Sequence, residues 1–176
     1  MRAAAALLLV VAGAVGVLQQ KQLTDKKLLD QLARLFPPGT VFSPKEGTPQ
    51  HFSAYITDPA SGRQTLAGFA FWTTELEPLE RGYDGPIKIL VGMDTRGILT
   101  GVLVVEHREP YGDFSIDPPQ FAAQFKGKDI RQPFRVGDDI DAVSRASISV
   151  TSATRAIRNS ARRVARALLT PPPGVK

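Results

Sequence analysis

Two apolar runs separated by a four-residue turn constrain this chain most. "KILVGMD" (88–94) and "ILTGVLVVEH" (98–107) are rich in β-branched residues, and "DTRG" at Asp94 to Gly97 joins them. So short a connection holds no crossover helix, so the two strands must run antiparallel. Upstream, "HFSAYI" and "TLAGFAFWTT" have the same character, and "DPASGR" (58–63) and "ERGYDGP" (80–86) supply the turns. No helix-length segment lies between any of these strands, which argues against a parallel doubly wound sheet. The expected fold class is α+β, a single domain with an antiparallel sheet packed by helices.

The helices flank this section. "TDKKLLDQLARLF" opens on Thr24 and Asp25, both good N-caps, and Leu28, Leu29, Leu32, Leu35 and Phe36 fall on one helical face. "PPG" at Pro37 to Gly39 stops it, so 19–39 reads as an amphipathic linker helix. From Arg108 to Asp141 the chain is loop-rich, with a short helix expected through "QFAAQFKG". The last helix is expected from Ser152 to Leu169, with Ala153, Ile157, Ala161, Val164 and Leu168 on one face. Arg155, Arg158, Arg162 and Arg166 lie opposite, which is the ordinary pattern of a solvated face. Ahead of it "SISVT" alternates like a strand, with Thr151 or Ser152 as the N-cap. Residues 171–176 are a proline-rich tail.

At 176 residues the chain suits one domain with a proper core. It has no cysteine, which excludes disulfides, iron–sulfur clusters and thiolate chemistry, and its two histidines make a histidine-rich metal site unexpected. Arg2 precedes sixteen uncharged, mostly apolar residues, Ala3 to Leu18, with small residues at Ala12 to Ala14. That is the pattern of an export segment, so 1–18 is read as a signal peptide or membrane anchor and the domain as periplasmic. The net charge of +5 raises the question of nucleic acid. The basic residues are not interleaved with aromatic ones and no reader motif is present, so a membrane or protein surface is the better match for the arginine face.

No self-contained catalytic set appears: there is no G-x-S-x-G elbow, P-loop, G-x-G-x-x-G or H-E-x-x-H. Asp138, Asp139 and Asp141 lack the spacing of a calcium loop, and "EHREP" (106–110) reads first as a strand end. What remains is "DAVSRASISVTSAT" (141–154), with six hydroxyls: Ser144, Ser147, Ser149, Thr151, Ser152 and Thr154. Hydroxyls leading into a helix N-terminus suit a phosphate, because unpaired N–H groups and the positive dipole end converge there.

"DAVSRAS" followed by "IS" resembles the flavinylation motif of the FMN-binding domain family, roughly Asp-x-x-Ser-Gly-Ala-Thr. "RGYDGPIKILVGMDTRGILTGVLVVEHREPYGDF" is similar to the family's glycine–tyrosine turn and the strands after it. "HREPYG" and "FAAQFKGKDIRQPFRVGDDIDAVSRA" look most like the periplasmic part of NosR/NirI-type regulators of nitrous oxide reduction. The resemblance covers about Ala67 to Leu169 and implies an FMN-binding domain over 40–170. It also implies FMN joined as a phosphoester to Ser147 by a flavin transferase that uses FAD and magnesium. Asp141, Ser144 and Ala146 match the motif, Arg145 stands at its glycine, and Ser147 replaces the commoner threonine. Thr154, in "SAT", is the competing acceptor. Ser149, Gly82, Tyr83, His107, Glu109 and Tyr111 are the other expected cofactor-binding residues. The implied role is an exported electron-transfer carrier, rather than an enzyme, working between membrane or periplasmic redox proteins. The rival readings are a flavin-free docking module and a regulatory module.

Overall fold

The Asp94–Gly97 turn closes an antiparallel hairpin. In the computed structural model, which describes residues 24–169, β4 (Lys88–Asp94) pairs with β5 (Leu99–Glu106). Asp94 organises the turn, its carboxylate accepting from the N–H groups of Arg96 (2.8 Å) and Ile98 (2.9 Å), and Gly97 takes the positive φ of 83° that the bend needs. The export segment at 1–18 and the tail at 171–176 lie outside the described residues.

The hairpin is one edge of a five-stranded antiparallel sheet in the order β1-β2-β3-β4-β5. β2 (Phe52–Thr57) and β3 (Gln64–Trp72) match the apolar runs read from the sequence, and β1 (Thr40–Phe42) adds an edge too short to show an alternating pattern. The "TT" expected to end β3 starts a helical turn instead, α2 (Thr73–Leu76). There the Thr73 hydroxyl accepts from Ile89 N–H (3.1 Å) and donates to Ile87 carbonyl (3.2 Å), so the turn is tied back to β4.

Both faces of the sheet are covered, and strand alternation deals residues to two cores. Phe69 and Phe71 of β3 and Ile89, Val91 and Met93 of β4 point to one side, Ala70, Trp72 and Leu90 to the other. The second side is closed by α1 (Lys26–Ala33), capped by Asp25, whose carboxylate accepts from Leu28 N–H at 3.1 Å. Leu32, Leu35 and Phe36 are buried there, so the segment read as a linker helix forms part of the domain's packing. Gly92 and Gly101 face each other across β4 and β5 beneath Leu35: a Cβ on either would press on it at 3.0 and 3.2 Å.

The first side packs on α5 (Ser147–Leu168), with α3 (Gly112–Ser115) and α4 (Pro119–Ala123) nearby. The helix expected through "QFAAQFKG" is there as α4, but it ends at Ala123 and "QFKG" continues in turns. The start of α5 does not match: the helix begins at Ser147, so "SISVT" is its first turn and a half, not a strand, and neither Thr151 nor Ser152 caps it. Five residues fit a period of two as well as one of 3.6, and the deciding position was Val150. It is fully buried and continues the stripe Ala153, Ile157, Ala161, Val164 backward at spacings of three and four.

Candidate functional site

The chain reaches α5 through a tight turn. The Asp141 N–H donates to the Gln124 side-chain oxygen (2.6 Å), and the Ala146 N–H returns to the Val143 carbonyl (3.2 Å). Within this turn Arg145 has a φ of +68°. A left-handed conformation costs a residue with a Cβ about 1–2 kcal/mol, and glycine almost nothing. The backbone at this position is therefore the one a glycine favours, held here by an arginine.

The turn delivers Ser147 as the first residue of α5. Ala146, at the N-cap, makes no side-chain capping bond, and the first turn contains no acidic residue. The first rung of the helix is Val150 N–H to Ala146 carbonyl (3.0 Å), so the N–H groups of Ser147, Ile148 and Ser149 come before the ladder. These residues and Arg145 form one wall of a cleft of about 500 Å³, whose other lining residues are Tyr83, Pro110 and Tyr111. Both tyrosines stand out from the surface, at 70% and 45% exposure, and Tyr111 leans on Phe114 with ring centroids 5.4 Å apart.

Glu109 joins the two walls. After β5 the chain leaves the sheet through "HREPY" and turns the Glu109 side chain inward, where it is only 6% exposed. Its carboxylate accepts from the N–H groups of Tyr83 (2.9 Å) and Asp84 (3.0 Å), and from the Ser149 hydroxyl. Gly82 leaves room for it: a Cβ there would collide with the carboxylate. Burial opposes ionisation of Glu109. The bonds from Ser149, Tyr83 and Asp84, with His107 acting in the same direction, outweigh that and hold the group below its ordinary value. His107 braces the loop from behind. Its Nδ1 accepts from the Glu109 N–H (3.0 Å), so the neutral ring carries its proton on Nε2, which donates to Asp117 (2.8 Å).

The expected site residues thus divide by position. Ser147, Arg145, Ala146, Ser149, Tyr83 and Tyr111 line the cleft. Glu109 lies behind Ser149, Gly82 packs on Glu109, and His107 supports its backbone. Asp141 and Ser144 are exposed in the turn and do not line the cleft. Thr154 is two helical turns away and buried, and its hydroxyl has no hydrogen-bond partner among the described residues. Pro110 and Ile148 line the cleft without having been singled out. Ile148, 56% exposed beside a hydroxyl residue, carried a signal once it is placed on a helix and not a strand.

The family model of the FMN-binding domain matches residues 82–162, from the glycine that seats Glu109 to the last third of α5. Over those residues the chain is similar to FMN-binding domains, and FMN is the cofactor that the match supports. No curated protein matches the chain.

Proposed function

We propose, on the premise that residues 82–162 match an FMN-binding domain, that this protein is an exported electron-transfer carrier with FMN esterified to Ser147. The observation that carries this reading is the position of Ser147: exposed, at the open N-terminus of α5, and facing the tyrosine-rimmed cleft.

The residues present fit the cofactor. A cleft of about 500 Å³ lies within the range of roughly 300–1,000 Å³ usual for small-molecule sites. The N–H groups at the start of α5 and the Arg145 guanidinium offset the charge of a phosphodiester on Ser147. Tyr83, Tyr111, Pro110 and Ile148 give flat and apolar surface against an aromatic ring system. When bound, FMN supplies the redox chemistry, and the protein supplies position and polarity. Attachment by a flavin transferase joins the Ser147 oxygen to the FMN phosphorus of FAD. The pyrophosphate bond breaks, AMP leaves, and the serine proton passes to base or solvent.

The hydrophobic segment at 1–18 is taken as the export signal or anchor, and membrane or periplasmic redox proteins as the electron donors and acceptors. The resemblance of "HREPYG" and the stretch before Ser147 to the NosR/NirI type supports a place in that subgroup.

Co-expression with a flavin transferase tests this directly. The denatured band should fluoresce under ultraviolet light, and the intact mass should rise by one FMN less one water. Ser147→Ala should abolish both signals and Thr154→Ala should leave them. A dark wild-type band at unchanged mass would refute covalent attachment.

A further inference from the structure

The other end of α5 has a different character. No Asp or Glu follows Asp141 in the sequence, whereas Arg145, Arg155, Arg158, Arg162, Arg163, Arg166 and Lys176 do. The arginines of α5 form two stripes with different surroundings. Arg155 and Arg163 reach carboxylates of the loop between α2 and β4, Glu80 at 3.4 Å and Glu77 at 3.0 Å. Arg158, Arg162 and Arg166, at successive i,i+4 positions, have no carboxylate partner among the described residues. Arg162 instead donates to the carbonyls of Ile130 (2.8 Å) and Gln132 (2.7 Å). Burial first, then the like charges of Arg158 and Arg166, lower its pKa from the ordinary arginine value.

This unpaired stripe borders a groove of about 760 Å³, lined by Arg96, Arg131, Arg162 and Arg166 together with apolar Ile130 and Leu169. Asp94 and Asp129 neutralise Arg96 and Arg131, which leaves two guanidinium charges uncompensated in the groove. We propose that this groove docks an acidic, partly apolar segment of a polypeptide partner. Charge complementarity selects the acid, and Ile130 and Leu169 select the apolar residues between the acids. The residues after Leu169, "TPPPGVK", bring a lysine and no Asp or Glu, so their side chains offer the groove no acid. Arg162 is half-buried against the Ile130 and Gln132 carbonyls, so an extended segment that enters the groove reaches it, where a bilayer surface would meet the exposed arginines alone. Arg166 lies nineteen residues along α5 from Ser147, about 28 Å at the helical rise, so a segment docked here leaves the cleft uncovered. The proposal does not rest on the flavin reading.

The test is fluorescence anisotropy on the full chain with a labelled peptide of repeating Glu-Glu-Leu units, beside its Gln-Gln-Leu counterpart. The acidic peptide should bind at about 20 mM salt and weaken steeply by about 300 mM, as screened charge pairs do. The Gln peptide should not bind. Arg158→Gln with Arg166→Gln, both in the stripe without carboxylate partners, should weaken the acidic peptide about tenfold at low salt. Arg163→Gln, whose partner is Glu77, should change it less than about twofold. Absence of binding at low salt, equal binding of the Gln peptide, or an unaffected double variant would each overturn the proposal. So would binding of equal-part phosphatidylglycerol and phosphatidylcholine vesicles, lost in the double variant, by a protein that ignores the peptide.

Discussion

Replacing Glu109 with glutamine removes one charge and keeps the shape, which makes it a sharp probe of how the cleft is held. The wild-type carboxylate accepts three bonds, from Tyr83 N–H, Asp84 N–H and the Ser149 hydroxyl. Glutamine has one accepting oxygen, and its amide nitrogen must face one or more of those donors in either orientation. A hydrogen bond to a charged group contributes about 1.5–3 kcal/mol, and an unmade buried one costs about 1–3 kcal/mol. Losing one such bond and weakening the rest sets the expected loss at about 3 kcal/mol, reduced toward 2 because Tyr83 and Asp84 are exposed. At about 2–4 °C per kcal/mol for a chain of this size, a loss of about 2–3 kcal/mol should lower the Tm by about 4–12 °C at neutral pH. The pH dependence has a definite sign. Because the folded state holds Glu109 below its ordinary value of 4.5, its contribution is fully present above that value and is lost as pH falls through the depressed folded one. The gap in Tm between wild type and Glu109→Gln should therefore be full at neutral pH and close in acid. Thermal melts followed by circular dichroism at descending pH read both quantities. A neutral-pH difference under about 2 °C, or a gap that does not narrow in acid, would refute the clamp.

Two further outcomes test the elements on either side of Ser147. Arg145→Gly relieves a left-handed residue at about 1–2 kcal/mol and gives back about 0.4–1 kcal/mol in unfolded-chain entropy, so stability should rise by roughly 0.5–1 kcal/mol in urea titrations. A loss of stability there would mean that the arginine side chain contributes more than the strain it carries. Ile157→Ala empties a fully buried position between α5 and the sheet and should cost about 2–5 kcal/mol in the same titration.

The sheet was legible because its signals are local. A four-residue turn at Asp94 to Gly97 and two β-branched runs decide both pairing and direction before any distant contact is known. The start of α5 was not. "SISVT" holds too few residues to separate a strand from a helix, and only the burial of Val150 against Phe and Ile side chains far away in sequence decides between them. The first helix shows a related failure. Its apolar face was readable, but that it packs on the second face of the sheet depends on two glycines, Gly92 and Gly101, about sixty residues on, that let Leu35 approach. Of the site, the sequence order of Asp141 to Ser147 was visible as a motif. The contact that joins it to the Gly82–Asp84 turn was not, because Glu109 reaches across 25 and 40 residues to Asp84 and Ser149.

Those long-range contacts bear on why one hydroxyl among six suits the flavin reading. Ser152 and Thr154 are buried inside the packed face of α5, so an attaching enzyme reaches them only by unfolding the helix. Ser149 lines the cleft, but its hydroxyl is already committed to Glu109 and its side chain is buried. Thr151 is half-buried and lies outside the cleft, and Ser144 is exposed but on the far part of the turn. Ser147 alone among the six combines exposure, a place on the cleft wall and a backbone N–H ahead of the helical ladder. The positive φ two residues earlier is what turns the chain sharply enough to start α5 there. Shifting the helix start by one residue rotates every side chain on it by about 100°, which would carry Ser149 away from Glu109. The turn, the clamp and the position of Ser147 are therefore linked, and on the proposed attachment a variant that loosens Glu109 should weaken the fluorescent band of the co-expressed protein even where circular dichroism shows that the helix persists.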